Sequence, residues 1–181
     1  MDDLEFIFSL FGLLLGLALA EALAGLARAL KSKHRVKIGW PTALLGLLVS
    51  SDVVTFWMFG WQLREGLKVS WPLMFAGFIV TGIYYVSAAL IFPDDEGEDF
   101  DAHFERVRRL VLGGVVLCNA ALFAFTVSLI GVEPLVNLRA AIISWSLFPV
   151  AITAALIKDR RIVIACLIWL ITLYPLSVVW A

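Results

Sequence analysis

Residues 6–29 read FIFSLFGLLLGLALAEALAGLARA, an apolar stretch interrupted only by Ser9, Glu21 and Arg28. About 20 residues of α-helix cross the roughly 30 Å hydrocarbon core of a bilayer, so this stretch is long enough to span a membrane. Five comparable stretches follow, at residues 38–63, 69–92, 107–130, 135–157 and 162–180. Because strands with open edges would leave backbone groups unpaired in lipid, each stretch is predicted to be a helix. The chain is therefore predicted to be an all-α, polytopic membrane protein, a bundle of six transmembrane helices.

The composition favours a single membrane domain over residues 1–181. Hydrophobic residues make up 62% of the chain, well above the roughly 45–50% apolar usage of soluble domains. The loops that remain between the apolar stretches are too short to hold a separate catalytic module. The net charge of −1 gives no indication of a nucleic-acid partner. The acidic start lacks the basic residues of a secretory signal peptide, so the first stretch is expected to stay in the membrane.

The positions of Lys and Arg predict the orientation. Most of them fall in the first, third and fifth loops: Arg28, Lys31, Lys33, Arg35, Lys37, Arg106, Arg108, Arg109, Lys158, Arg160 and Arg161. Since basic loops remain in the cytoplasm, these odd-numbered loops are predicted to be cytoplasmic and both termini to lie outside. The predicted location is a bacterial inner (plasma) membrane. Aromatic residues near the outer boundary fit an interfacial belt: Trp61, Trp71, Tyr174 and Trp180.

Four polar residues within or near the spans form the candidate transport or ion-binding site: Glu21, Asp52, Asn119 and Arg139. Charges inside a membrane are costly, and they usually face the bundle interior or a wet cavity. At 1.5 Å per residue, Glu21 lies about 10 Å from the cytoplasmic side and Asp52 and Asn119 lie near the middle. Arg139 lies about one turn from the outer side. Tyr84 and Tyr85, in the inner half of the third span, could reach Glu21. Carboxylates at two depths would suit a small channel or transporter for protons or ions.

A structural role for the same residues remains open. Asp52 could simply pair with Arg139, and Glu21 could hold helices together or pair with Arg28, which shares its face of the helix. The protein would then be a non-transporting assembly partner, lipid-binding module or scaffold. Its polar residues would pair among themselves, and no cavity would connect the two membrane faces.

An enzyme has weaker support. Only His103 and the acidic segment 94–105 gather polar groups near an interface, and that segment does not fit the EF-hand template. No Walker loop, GxGxxG or HExxH motif occurs. No catalytic residue, metal site or cofactor is predicted.

Small residues recur every four positions in the first span: Gly12, Gly16, Ala20 and Ala24. Such a face lets another helix approach closely. The partner could be a helix of the same chain or a second copy in a homo-oligomer. In the fifth span, Pro149 is expected to kink the helix, because proline cannot donate the backbone hydrogen bond to the preceding turn.

Overall fold

A computed structural model of the chain describes residues 3–32, 39–93 and 98–180. It contains six helices long and apolar enough to cross a membrane: α1 (Asp3–Ser32), α2 (Trp40–Gln62), α3 (Trp71–Leu90), α4 (Phe100–Ile130), α5 (Leu138–Leu156) and α6 (Arg160–Val179). No strand occurs in these described ranges. The predicted all-α architecture with six spanning helices is confirmed, and the six apolar helices indicate an integral membrane protein. The main difference in bounds is the start of α4, which extends back from residue 107 to Phe100.

Local sequence explains where the helices begin and end. Ser70, Asp99 and Asp159 precede α3, α4 and α6, and the side chain of each accepts a hydrogen bond from a first-turn backbone N–H. Such caps satisfy donors that have no partner within the helix. Gly131 ends α4 with a φ of 78°, a conformation that glycine adopts without a Cβ clash.

Contacts between helix ends show that the helices alternate in direction. Thr42 Oγ1, near the start of α2, donates to the carbonyl of Phe100 at the start of α4 (3.4 Å). Arg139 Nη2, at the start of α5, donates to the carbonyl of Ser177 near the end of α6 (2.9 Å). The starts of α2, α4 and α6 therefore lie at one end of the bundle. This end is called the basic end, since it carries most of the described basic residues: Arg28, Lys31, Arg106, Arg108, Arg109, Lys158, Arg160 and Arg161.

Helix α1 packs against α2 and α3. Its buried positions lie on one helix face, with an interval of eight residues followed by alternating intervals of three and four: Ile7, Leu15, Ala18, Ala22, Gly25 and Ala29. Four of these residues are small, which lets neighbouring segments of the same chain pack close to α1. A Cβ at Gly25 would collide with the ring of Phe92.

The small-residue face predicted from the sequence differs largely from the face of α1 that is buried in the structure. Gly12 does contact the ring of Trp57 on α2, but Gly16 has open space where a Cβ would lie. Ala20 and Ala24 are exposed. Apart from Gly12, the residues of this face do not pack against the other described helices.

Helix α5 is irregular in its first half. Residues Ala141–Trp145 form a π-helical turn, in which the N–H of Ser146 donates to the carbonyl of Ala141 (3.1 Å). Pro149 follows one turn later and has no N–H to donate. Irregular turns of this kind are common beside prolines and at functional sites. The structure therefore places a backbone irregularity close to the predicted kink.

Candidate functional site

Asp52, in the middle of α2, is only 2% exposed and joins four helices. Its Oδ1 atom accepts hydrogen bonds from Tyr174 OH of α6 (2.9 Å) and Asn119 Nδ2 of α4 (3.0 Å). Its Oδ2 atom accepts from Tyr84 OH of α3 (3.0 Å) and from the same Asn119 nitrogen (2.9 Å). Asn119 Nδ2 also lies 3.0 Å from the carbonyl of Val115. Side chains from α2, α3, α4 and α6 therefore meet at one carboxylate.

All the groups that contact this carboxylate are neutral. None of the ion pairs formed by the described residues includes Asp52. Hydrogen bonds to an ionised acceptor are roughly twice as strong as bonds between neutral groups. Two hydroxyls and one amide therefore compensate the buried carboxylate in place of a cation. Protonation of Asp52 would remove part of its capacity to accept hydrogen bonds from these three side chains.

A cavity of about 120 Å³ adjoins Asp52 on the side away from the basic end. Helices α2, α4, α5 and α6 and the α4–α5 connection supply its lining: Thr55, Phe59, Asn119, Leu122, Phe123, Thr126, Leu135, Ile143, Ser144, Leu147, Phe148, Leu173, Tyr174 and Ser177. Asn119 and Tyr174 belong both to this lining and to the donors around Asp52. They separate the carboxylate from the cavity. Because hydroxyl groups also line the cavity, it has the polar partners that ordered water needs.

The bundle is closed between Asp52 and the basic end. Residues in this region have essentially no exposed surface: Leu45, Leu48, Val49, Leu112, Val115 and Leu167. These apolar side chains give a proton or ion no polar partners. Among the described residues, the buried polar ones toward the same end are Thr42, Ser87 and Arg108. The cavity of about 120 Å³ therefore lies on the side of Asp52 away from the basic end.

The structure brings Asp52 and Asn119 together, but it places Glu21 elsewhere. Glu21 pairs with Arg28 on the same helix (Oε1 to Nη2, 3.2 Å), and the two side chains are 30% and 47% exposed. Tyr84, which was expected to approach Glu21, donates to Asp52 instead. That expectation was wrong because depth along a helix does not define the direction in which a side chain points.

Arg139 does not pair with Asp52. Its side chain is exposed at the start of α5, where it donates to the carbonyl of Ser177. Ser177 lines the cavity, so Arg139 lies beside the cavity wall rather than next to the carboxylate.

Tyr84 and Tyr174 were not predicted to be site residues, and Tyr174 was assigned to the outer interfacial belt. Both hydroxyls contact Asp52 within the bundle. A buried tyrosine usually finds a partner for its hydroxyl, so a tyrosine at the depth of a buried acid is the signal that identifies them.

Parts of the basic first loop and of the acidic segment 94–105 lie outside the described residues: Lys33, His34, Arg35, Lys37, Asp94, Asp95 and Glu96. The remainder of the acidic segment joins α3 to α4. Glu98 pairs with Arg106 and lies 3.3 Å from Nδ1 of His103. The Nε2 atom of His103 lies 2.9 Å from the carbonyl of Leu90, the last residue of α3.

The fold and the site define a polytopic α-helical membrane protein with a buried carboxylate at the junction of four helices. No protein-family model, curated protein or solved structure matches the chain.

Proposed function

We propose that the protein is a small channel or transporter for protons or ions, with Asp52 as the binding group. One observation carries the proposal: a carboxylate at which four helices meet is separated from a partly polar cavity only by two of its own hydrogen-bond donors, Asn119 and Tyr174. Ionisable residues inside a membrane are retained chiefly for function, and transporters bind their coupling ions near the middle of the bilayer.

Binding of a proton or cation at Asp52 would act on four helices at once. A protonated carboxyl has lost its negative charge and gained one O–H donor while keeping part of its acceptor capacity, so at least one of the three groups that donate to it would have to accept instead or turn away. A ligand shifts a conformational equilibrium only when it interacts differently with the two states. Asp52 meets this condition, because its contacts change with its occupancy.

The one-sided cavity fits one state of such a cycle, in which the packed residues near the basic end act as the closed gate. Asn119 serves as a neutral ligand or relay, and Arg139 serves as a counter-charge beside the cavity. Glu21 was the second candidate for proton or ion binding. Its ion pair with Arg28 sets it apart from this route, so the proposal rests on Asp52.

The orientation belongs to the same proposal. From the excess of basic residues we infer that the basic end faces the cytoplasm and that both termini lie outside, and the membrane we propose is a bacterial inner membrane. The cavity then opens toward the outside. The face of α1 formed by Gly16, Ala20 and Ala24 is available for a second copy of the chain, and Gly12 lies at its edge.

A non-transporting assembly partner, lipid-binding module or scaffold is the second candidate. It is favoured by the complete pairing of Asp52 with neutral donors and by the closed packing between Asp52 and the basic end. In that function the carboxylate would join helices and move nothing.

Proton and monovalent-cation flux into liposomes separates the two candidates. The purified chain is reconstituted, a pH gradient or a voltage is imposed, and uptake is followed with a dye. Wild type is compared with Asp52→Asn, which removes the negative charge with little change in shape. Glu21→Gln is the matched control, since the same change is made outside the route.

Under the transport proposal, wild-type flux exceeds that of empty liposomes, Asp52→Asn abolishes the excess and Glu21→Gln retains it. Tryptophan fluorescence of each variant in detergent checks that folding is intact. Equal flux in wild type and a folded Asp52→Asn variant would refute the role of Asp52. Absence of wild-type flux under both gradients would favour the non-transporting candidate.

A further inference from the structure

Arg108 is the largest fully buried side chain among the described residues, at 1% exposure. It lies on the buried stripe of α4: Phe100, Phe104, Arg108, Val111, Val115 and Cys118. A guanidinium carries five N–H groups in a fixed plane. The Nη2 atom pairs with Oε2 of Glu105 (3.1 Å). Within the described part of the chain, nothing accepts a hydrogen bond from Nε or Nη1.

This arrangement has a substantial free-energy cost. A buried donor without an acceptor loses its interaction with water and gains nothing in return, and the penalty is larger for a charged group. Glu105 compensates only part of the guanidinium, and its own side chain is 51% exposed. The remaining N–H groups therefore need an acceptor that the described side chains do not supply.

The depth of Arg108 indicates the chemistry of that acceptor. Helix α4 has 31 residues, which at 1.5 Å per residue is about 46 Å, well beyond the roughly 30 Å of hydrocarbon. The excess lies at the basic end, where the charged residues of α4 are found. Arg108 thus lies near the level of the lipid head groups. Basic side chains of the same helix and of α6 are at this end: Arg106, Arg109, Arg160 and Arg161.

We propose that Arg108 anchors a binding site for a phosphate group at the basic end of the bundle. Guanidinium and phosphate match geometrically, because two parallel N–H groups can donate to two phosphate oxygens. Basic sites between transmembrane helices bind lipid head groups in this way, and free phosphate offers the same chemistry. The incoming phosphate displaces Glu105, which links Arg108 to the surface and competes for the guanidinium.

Thermal unfolding of the full-length protein in detergent tests the site. One series adds sodium phosphate against sodium chloride at equal ionic strength. A second series adds phosphatidylglycerol against a phosphate-free galactolipid. The variants are Arg108→Gln, Glu105→Gln and, as a matched control, Arg109→Gln, because Arg109 is the exposed neighbour of Arg108.

The phosphate compound is expected to raise the unfolding midpoint of wild type and of Arg109→Gln, but not that of Arg108→Gln. Glu105→Gln should give the wild-type shift at about tenfold lower concentration, the effect of removing one charged competitor. A shift with phosphate alone identifies a free anion, and a shift with phosphatidylglycerol only identifies a lipid head group.

The proposal is overturned if neither compound stabilises wild type, or if Arg108→Gln responds as wild type does. Should Arg108→Gln not fold, Glu105→Gln decides, since its response must be stronger than that of wild type. Asp52→Asn is expected to respond like wild type, so this site can fail without affecting the proposed role of Asp52.

Discussion

Asp52 and Arg108 are both buried charges, with 2% and 1% of their surface exposed, but their surroundings are opposite. Asp52 accepts hydrogen bonds from three side chains on three other helices. Among the residues that the structure describes, Arg108 has one partner, the half-exposed Glu105, on its own helix. The fold compensates one charge completely and leaves most of the other uncompensated.

The difference shows what burial alone can indicate. A fully paired charge is compatible with a purely structural role, so a transport role for Asp52 depends on the cavity beside it and on measured flux. An incompletely paired charge cannot be explained by the described fold alone, because its desolvation is not repaid. Substitutions at five residues test this comparison: Asp52, Arg108, Tyr84, Tyr174 and Glu21.

The largest effect is expected for Asp52→Leu. Leucine has a similar volume but accepts no hydrogen bond, so the three donors of Tyr84, Asn119 and Tyr174 would lose their common partner. We expect a loss of about 3–5 kcal/mol in the free energy of unfolding, the range for breaking a buried charged network. Unfolding with a denaturing detergent, followed by tryptophan fluorescence, measures it. A loss below 1 kcal/mol would show that these hydrogen bonds contribute little to stability.

Arg108→Met should act in the opposite direction. An apolar side chain of comparable length removes the unpaired N–H groups and gives up only a half-exposed ion pair. Without phosphate or anionic lipid, the variant is expected to equal or exceed wild type in stability, by about 1–2 kcal/mol. The same unfolding assay, in phosphate-free detergent, gives the sign. Destabilisation as large as that of Asp52→Leu would mean that Arg108 is fully compensated within the fold.

Tyr84→Phe and Tyr174→Phe each remove one hydroxyl that donates to Asp52. Tyr84 is 1% exposed, whereas Tyr174 lines the cavity, where water can replace its hydroxyl. Tyr84→Phe should therefore cost about 1.5–3 kcal/mol, and Tyr174→Phe less than half as much. The double variant measures the coupling of the two hydroxyls through Asp52. Equal losses would indicate that the cavity supplies no water at this position.

The smallest effect is expected for Glu21→Gln. Its partner Arg28 is 47% exposed and Glu21 is 30% exposed, so the pair lies outside the core of the bundle. Exposed ion pairs contribute about 0–1 kcal/mol, and the variant should remain within that range of wild type. A larger loss in the unfolding assay would show that Glu21 stabilises the bundle through further contacts. Glu21→Ala, which also shortens the side chain, would distinguish lost charge from lost packing.

The six helices could be predicted because length and hydropathy are local properties of the chain. Depth was also predictable by counting residues, and it correctly placed Asp52 and Asn119 at one level. Counting does not give the direction of a side chain around the helix axis. This is why Tyr84 was expected beside Glu21 and Tyr174 at the interface.

The direction of the Arg108 side chain was likewise not predicted. As one of three neighbouring arginines it was read as a loop residue that sets orientation. Its spacing from Phe104 and Val111, four and three residues away, places it on the apolar face of α4. That spacing was the available signal. The apolar stretch alone does not reveal it, because α4 extends further toward the basic end than that stretch does.

The sequence by itself determined the class of protein, the number of spans and the uneven distribution of charge, because these depend on composition and on distance along the chain. Only the tertiary structure decided which faces meet. It joined Asp52 to Tyr84, Asn119 and Tyr174, separated Glu21 and Arg139 from them, and turned Arg108 into the bundle. The physical reason is that contacts between helices depend on rotation about each axis and on the packing of small against large side chains, which six separate stretches do not specify.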